Sequence, residues 1–232
     1  MQPYFMPYIG YFQLIKAVDT FVFYDDVNYI KQGWINRNQI LMNNAPSLFT
    51  IPLENASSNL HINQVNISKD AYIRWRKKFF KSLMASYGRA PFYTSICDLM
   101  KKSLPDNTDN TDNISNLAIN SIKIIMNYLH ITTQLKISSE LKPTNLFSGQ
   151  DRVLEICKQF NAQTYINPIG GIELYSKNDF MKENINLYFI RTNNILYKQF
   201  TDHFTPNLSI IDVLMFNSPE SINEILDDYT LI

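Results

Sequence analysis

Two adjacent carboxylates, Asp25 and Asp26, are the residues of this sequence that best suit acid–base chemistry. They follow the apolar run TFVFY, which ends at Tyr24 and is typical of a buried strand. A carboxylate at a strand end can take a proton from a substrate or bind a metal ion. Because neighbouring strand residues point to opposite faces, we expect at most one of the pair to face a given pocket. In the alternative, one carboxylate caps the following turn and the other is solvated.

The segment after this strand combines basic, aromatic and amide side chains. It contains Lys31, Trp34, Asn36, Arg37 and Asn38. An indole ring can stack on a planar ligand, and a neighbouring guanidinium can bind a phosphate or carboxylate through paired hydrogen bonds. Loop residues of these types bind ligands more often than they build cores, so the segment is predicted to contact substrate.

A glycine pair marks a third candidate position. Asn167 begins the stretch NPIGG, in which Gly170 and Gly171 lie between a predicted strand and a predicted helix containing Glu173 and Tyr175. In open parallel sheets, ligands bind outside the carboxyl ends of strands, and glycines there allow backbone N–H groups to approach a ligand. The pattern matches no established phosphate-binding motif. Ligand contact and a plain strand-to-helix turn therefore both remain open.

Histidine and cysteine chemistry has less support in the sequence. His203 follows Asp202, an acidic neighbour that can tune it, so His203 is a candidate general base. The chain has three histidines and no metal-ligand spacing, so no metal site is predicted. Cys157 shares helical spacing with apolar residues and is interpreted as core, and Cys97 shows no nucleophile pattern.

The carboxylates must be positioned by the first third of the chain, which is predicted to fold as helix, strand, loop and strand. Gly10 opens the helical pattern YFQLIKAVD, and TFVFYDDV and SLFTIPL are the strands. The middle, about residues 69–130, is predicted to be helical. There, AYIRWRKKFFKSLMASY runs without glycine or proline to Gly88, a plausible helix end.

The last third alternates strand and helix patterns. They are TTQLKISSEL, DRVLEICKQF, TYINPIGG, YSKNDFMKEN, INLYFIRT, SIIDVLMF and SPESINEIL. This alternation is typical of βαβ units. Ser218 before Pro219 suits a helix N-cap, and Ser209 with Asp212 forms a capping-box-like pattern. The sequence therefore predicts one α/β domain over residues 1–232, with a mostly parallel Rossmann-like layered sheet and the helical segment as an insertion or cover.

The long middle helix has a strongly basic character. Its basic cluster is Arg74, Arg76, Lys77, Lys78 and Lys81. We interpret the cluster as a solvated face whose long side chains cover the edge of the core. The alternative is contact with a polyanion.

Composition limits the class of protein. The 232 residues are 45% hydrophobic, 18% charged and 13% aromatic, which excludes a disordered chain. Lys plus Arg and Asp plus Glu both number 21, so no dominant nucleic-acid or anionic-membrane surface is expected. Two separated cysteines, no signal peptide and no apolar run of about 18 residues predict a cytoplasmic protein without a membrane span.

Four blocks of the chain closely resemble the WbqC-like protein family, in that family's order. They are QPYFMPYIGYFQLI at 2–15, YDDVNYIKQGWINRNQI at 24–40, TYINPIGG with Glu173-Leu174-Tyr175, and FTPNLSIIDVLMFN at 204–217. The family occurs in bacterial O-antigen, lipopolysaccharide and related surface-polysaccharide gene clusters, and a member has been suggested to be a glycine transferase. Its members begin a few residues earlier with a short apolar strand, so the resemblance implies either an upstream start, which is the simpler explanation, or the loss of that strand.

The segment from Gln2 to Tyr11 has a looser resemblance to the F-x-P-x-H-x-G-H loop of nucleotidylyltransferases, whose histidines stabilise a transferring phosphate. This segment has no histidine, and its spacing is one residue shorter than that of the loop. The resemblance places Gln2 and Tyr11 among the candidate substrate contacts. Nucleotidyl transfer is therefore a third hypothesis, weaker than the transferase and binding-protein hypotheses given next.

The leading hypothesis, implied by the family resemblance, is a cytoplasmic transferase that joins an aminoacyl group, for example glycyl, or another acyl group to a nucleotide-activated amino sugar. Asp25, Asp26 or His203 serves as the base. The groups expected to bind substrate are Gln2, Tyr11, Lys31, Trp34, Asn36, Arg37, Asn38, Asn167, Gly170, Gly171, Glu173 and Tyr175. The alternative is a non-catalytic sugar-nucleotide-binding or scaffold protein. No nucleic-acid partner is expected, and cofactor and oligomeric state are not indicated.

Overall fold

The computed structural model of the protein describes residues 1–106, 112–142, 144 and 146–232. Its α-helices are α1 (Ile9–Lys16), α2 (Lys69–Tyr87), α3 (Tyr93–Ser103), α4 (Ile114–Tyr128), α5 (Gly149–Gln159), α6 (Lys177–Lys182), α7 (Ile210–Phe216) and α8 (Pro219–Asp227). Its strands are β1 (Thr20–Phe23), β2 (Arg37–Met42), β3 (Ala45–Thr50), β4 (Leu53–Glu54), β5 (Asn66–Ile67), β6 (Gln134–Ile137), β7 (Thr164–Pro168), β8 (Asn186–Thr192) and β9 (Tyr229–Leu231). The predicted mixed α/β class is confirmed.

The strands form four small sheets within the described residues. β1 pairs with β6 in parallel, from Thr20 opposite Gln134 to Phe23 opposite Ile137. β7 and β8 are also parallel, and β9 is antiparallel to β8. The pairs β2–β3 and β4–β5 are antiparallel. Among the described residues, parallel pairing is therefore limited to two separate pairs of strands, β1–β6 and β7–β8.

Helices α2, α3 and α4 occupy most of the predicted helical segment, of which residues 107–111 lie outside the described part. Helix α2 ends at Gly88, whose N–H donates to the Met84 carbonyl. Its apolar face buries Tyr72, Phe79, Leu83 and Tyr87. Burial of this face against the core, rather than intrinsic helix propensity, accounts for most of the stability of such a helix.

Side-chain caps precede α6, α7 and α8, whereas α5 begins without one. The Ser218 hydroxyl accepts the Ser221 N–H, and Pro219 occupies the first turn of α8, as predicted. The prediction that Asp212 caps α7 together with Ser209 is wrong. The Ser209 hydroxyl accepts the Ile211 N–H at the start of α7, while the Asp212 carboxylate points into the core. The glycine pair itself lies within a 3₁₀ helix over Ile169–Leu174. The α-helix predicted after it is α6, which begins at Lys177, beyond Glu173 and Tyr175.

Two hydrophobic cores hold these elements together. The larger contains the buried faces of α1, α2, α3, α4 and α7. The smaller lies among α5, α6, β7 and β8. Between them, β1 and β7 face each other across a cavity of about 890 Å³. At one end of this cavity the Met1 nitrogen donates to the Val22 carbonyl at 2.9 Å, and the Met1 carbonyl accepts the Tyr24 N–H at 2.8 Å.

Candidate functional site

The carboxyl ends of β1 and β6 lie side by side because the two strands are parallel and in register. Asp25 and Asp26 follow β1, while Ser138 and Ser139 follow β6 in a short 3₁₀ helix. The Asp25 carboxylate accepts the Ser139 N–H at 3.0 Å and the Ser139 hydroxyl at 2.8 Å. The Ser139 residue is exposed, whereas Asp25 is buried. The pairing therefore places an accessible hydroxyl on a buried carboxylate.

Asp25 is held by further donors on both of its oxygens. The Ser138 hydroxyl lies 3.1 Å from Oδ1, and the Asn63 amide lies 3.2 Å from Oδ2. These four donors fix the carboxylate and compensate for its removal from water. Asp25 is thus a rigid acceptor whose hydrogen-bonding capacity is used within the protein.

Asp26 belongs to the same cluster, contrary to the expectation that the two carboxylates face apart. Both Asp25 and Asp26 contact the Ser138 hydroxyl. The pleat of β1 ends at Phe23, so strand alternation does not govern the side chains beyond it. Because one hydroxyl has one hydrogen, Ser138 can donate to only one carboxylate at a time.

Arg152 of α5 completes the cluster. Its guanidinium forms an ion pair with Asp26, donates from Nε to the Thr144 hydroxyl at 2.8 Å, and lies 4.7 Å from the Tyr24 ring centroid. The Arg152 side chain is 9% exposed and that of Asp26 is 21% exposed. Asp26 is therefore the carboxylate of the cluster that solvent or substrate can reach.

The cavity between β1 and β7 is lined by Tyr24 and Val153, the chain neighbours of Asp25 and Arg152, and by several of the predicted substrate contacts. Among the described residues, the side chains of the carboxylate cluster lie outside this lining. Gln2, Asn167, Gly170, Gly171 and Tyr175 all line the cavity. A Cβ on Gly171 would collide with the Asn167 side-chain amide unless that amide moved, whereas a Cβ on Gly170 would meet no atom within 4 Å. Glu173 is exposed and lies outside the cavity lining.

Aromatic hydroxyls surround the same cavity. The Tyr165 hydroxyl donates to the Asn167 side chain at 3.3 Å, and the Tyr165 and Tyr175 ring centroids are 5.9 Å apart. Burial raises the pKa of Tyr24, Tyr165 and Tyr175. These phenols therefore remain neutral donors at physiological pH.

The segment around Trp34 is placed differently from the expectation. The Asn36 amide donates to the Ile51 carbonyl at 2.8 Å and accepts the Tyr29 hydroxyl at 2.9 Å. The Asn38 amide donates to the Met6 carbonyl at 2.7 Å. Both asparagines are buried, so their amides hold the chain together at β2.

The charged groups of that segment remain outside the carboxylate cluster. Arg37 donates from Nε to the Gly33 carbonyl at 3.0 Å, and its guanidinium lies 5.8 Å from the Trp34 ring centroid. Lys31 and Trp34 are exposed. Across the residues that the structure describes, neither Lys31 nor Arg37 has a hydrogen bond or ion pair with Asp25 or Asp26.

Two further predicted residues have other surroundings. Tyr11 is buried and its hydroxyl donates to the Gln2 carbonyl at 2.8 Å, so it positions Gln2 from within the aromatic core. His203 is exposed in the loop before α7. Among the described side chains, its imidazole has no hydrogen bond or ion pair with either carboxylate.

Sequence reasoning missed Arg152, Ser138 and Ser139. A charged residue four positions before Ile156, on the apolar stripe of α5, signals a buried ion pair. The serines had no such signal, because their proximity to Asp25 depends on the pairing of β6 with β1. Within the described residues, no group of three His, Cys, Asp or Glu side chains is placed to hold a metal ion.

Comparison with known proteins gives one family and one relative. The sequence model of the WbqC-like protein family matches residues 2–224. The uncharacterized protein Rv1507c of Mycobacterium tuberculosis is 27% identical over 220 residues, which cover 94% of this chain and 91% of that protein. No solved structure matches. No helix in the described part of the chain is both long and apolar enough to span a membrane.

Proposed function

This chain belongs to the WbqC-like protein family, and from that premise we propose that it is a transferase of bacterial O-antigen or related surface-polysaccharide biosynthesis. The proposed reaction joins an aminoacyl group, for example glycyl, or another acyl group to the amine of a nucleotide-activated amino sugar. Because such sugars are cytoplasmic substrates, we place the reaction in the cytoplasm.

The observation that carries the proposal is the cluster at the carboxyl ends of β1 and β6. It brings two carboxylates, two serine hydroxyls and one guanidinium together. Tyr24 and Val153, the chain neighbours of Asp25 and Arg152, line the cavity. Ligands of open parallel sheets bind at this edge. We propose that the β1–β6 and β7–β8 pairs are the parallel parts of a Rossmann-like layered arrangement with its site at that edge.

Asp26 is the proposed general base, because it is the carboxylate that substrate can reach. The acceptor nitrogen forms a bond to the carbonyl carbon of the donor, and the bond from that carbon to the leaving group breaks. The amine proton passes to Asp26 and from there to the leaving group. Arg152 fixes the orientation of Asp26 through their ion pair. Asp25 positions Ser139 rather than the substrate.

Binding is assigned to the residues that line the cavity. The amides of Gln2 and Asn167 can hydrogen-bond the sugar or base, and Tyr175 can pack against a ring. The backbone N–H groups near Gly170 are the proposed donors to a developing oxyanion. The Ser139 hydroxyl already donates its one hydrogen to Asp25, so its oxygen can only accept a hydrogen bond from the substrate.

A second candidate function is sugar-nucleotide binding without catalysis, in the same pathway. It is favoured by the full use of Asp25 within the fold and by the pairing of Asp26 with Arg152. A protein of this kind would bind the nucleotide sugar and present it to another enzyme.

The two functions are separated by measuring binding and turnover on the same variants. Thermal shift with UDP-, dTDP- and GDP-amino sugars identifies the acceptor, since a ligand at a hundredfold excess over its Kd stabilises by about 2.7 kcal/mol. Mass spectrometry then follows acyl transfer to that acceptor from thioester, aminoacyl-tRNA and ATP-activated donors. We expect Asp26→Asn to retain binding and to lower turnover by about 10²-fold or more.

Asp202→Asn is the matched control, since Asp202 is an exposed carboxylate outside the cluster. Full turnover in Asp26→Asn would refute the proposed base. Binding of a nucleotide sugar with no product from any donor would favour the second function.

A further inference from the structure

Helix α2 presents a row of cations to solvent. Arg74, Lys77, Lys78 and Lys81, which we call the basic stripe, are all exposed. Their spacing of three, four and seven residues places them on one helix face. Asp70 is the acidic residue of this helix and lies one turn before the stripe. The stripe is thus a concentrated positive surface on a chain whose formal net charge is zero.

The remaining basic residues of α2 have partners, whereas the stripe has none among the described residues. Lys69 pairs with Asp112 at 3.5 Å, and Arg76 pairs with Asp106 at 2.6 Å. The four cations of the stripe have no ion pair or side-chain hydrogen bond in the part of the chain that the structure describes. Like charges four residues apart repel, so the stripe does not stabilise the isolated helix.

Exposed apolar side chains lie at both ends of the stripe. Ile73 is 41% exposed and Met84 is 66% exposed. Ile73 stands four residues before Lys77, and Met84 stands three residues after Lys81, so both continue the same face. From Ile73 to Met84 this face extends about 16 Å along the helix axis. A partner that covered the basic stripe would therefore also cover one exposed apolar side chain at each end of it.

We propose that this face is a docking surface for a partner protein with an acidic, amphipathic helix. Carboxylates of the partner lie over the basic stripe, and its apolar side chains pack on Ile73 and Met84. Such a combination supplies electrostatic steering and a small apolar contact. The inference goes beyond the proposed transfer reaction and does not depend on it.

A nucleic acid fits this face less well. Stacking on bases needs exposed rings, but the nearby Trp75 stacks on Phe79 with centroids 5.1 Å apart. The Phe80 ring lies beneath the Arg76 guanidinium at 4.9 Å. Nucleic acid also offers no apolar side chain to Met84, and the neutral chain supplies no wider positive field.

The test is fluorescence anisotropy with a labelled helical peptide that carries glutamates on one face and flanking leucines. The variant protein is Lys77→Gln/Lys78→Gln/Lys81→Gln. The matched control replaces three exposed lysines elsewhere, as Lys123→Gln/Lys177→Gln/Lys198→Gln. We expect the stripe variant to weaken binding by about tenfold or more, the control variant to bind like the parent, and added salt to weaken the parent complex.

Two further arms test the chemistry of the partner. Met84→Ser and a peptide with serines in place of its leucines should each weaken binding by about threefold. Equal loss in the stripe and control variants, or no effect of the apolar changes, would overturn the proposal. Tighter binding of duplex DNA or phosphatidylglycerol vesicles than of the peptide would also overturn it. Circular dichroism of each variant confirms that α2 remains folded.

Discussion

Within the described residues, the carboxylates at the edge of β1 and β6 and the carboxylate in the core differ in their surroundings. At the edge of β1 and β6, Asp25 and Asp26 contact serine hydroxyls and Arg152. In the core, Asp212 is fully buried and has no cationic partner among the described residues. Its oxygens accept the Tyr87 hydroxyl at 2.7 Å, the Tyr197 hydroxyl at 2.6 Å and the Gln199 amide at 2.8 Å.

This difference separates a structural carboxylate from a candidate functional one. Burial raises the pKa of Asp212, although the donated hydrogen bonds from Tyr197, Tyr87 and Gln199 lower it. Burial and the neighbouring Asp212 also raise the pKa of both tyrosines. Through these hydrogen bonds, Asp212 links α7 to Tyr87 of α2 and to Tyr197 and Gln199 of the preceding loop. The edge group, by contrast, retains an accessible carboxylate and an exposed hydroxyl.

The largest expected effect is that of Asp212→Ala. The substitution leaves three buried donors without an acceptor, so we expect the free energy of unfolding to fall by about 3–5 kcal/mol. Urea denaturation measures it. Asp202→Ala is the control, because Asp202 is exposed and should change stability by less than about 0.5 kcal/mol. A decrease in the free energy of unfolding of less than about 1 kcal/mol in Asp212→Ala would show that Asp212 does not have this structural role.

A smaller effect is expected at the edge. Arg152→Ala removes the ion pair to Asp26, the bond to Thr144 and the contact with Tyr24. Because Asp26 is partly solvated, we expect a loss of about 2 kcal/mol rather than the full cost of an unpaired buried charge. Lys158→Ala, which breaks the exposed pair with Glu183, should cost less than about 0.5 kcal/mol. Similar losses in both variants would contradict a buried ion pair.

The smallest effect concerns pH. Because the folded-state pKa of Asp212 is raised, this group contributes most to stability below the ordinary pKa of about 3.9. The contribution is lost as pH rises through the folded-state pKa. The free energy of unfolding of the parent minus that of Asp212→Asn should therefore fall as the pH rises from about 4. Paired urea titrations across this range measure it, and a difference that grows with pH would reverse the assignment.

Local sequence patterns predicted much of the secondary structure because they depend on neighbouring residues. Apolar runs located β1, β7 and β8, and Ser218-Pro219 located the start of α8. The position of Asp25 and Asp26 just beyond a strand also followed from such a run. Their partners did not, since Ser138 and Arg152 are more than about a hundred positions away and meet them only through strand pairing and helix packing.

Residue type was a weaker guide in the segment around Trp34. Asparagine and arginine side chains suit ligands and also satisfy buried backbone carbonyls, and sequence alone does not separate these uses. Asn36, Asn38 and Arg37 bond to carbonyls of Ile51, Met6 and Gly33. Likewise, separate strand patterns could not show that β1 and β7 remain unpaired with each other in the described fold.

The pairing of Met1 with β1 has a practical consequence for expression and purification. Met1 already pairs with β1 in a parallel direction, and burial lowers the pKa of its amino group to about 5. A tag fused before Met1 converts this amine into a peptide N–H, which can still donate to the Val22 carbonyl but no longer titrates. The choice of affinity tag is therefore a structural variable in every assay of this protein.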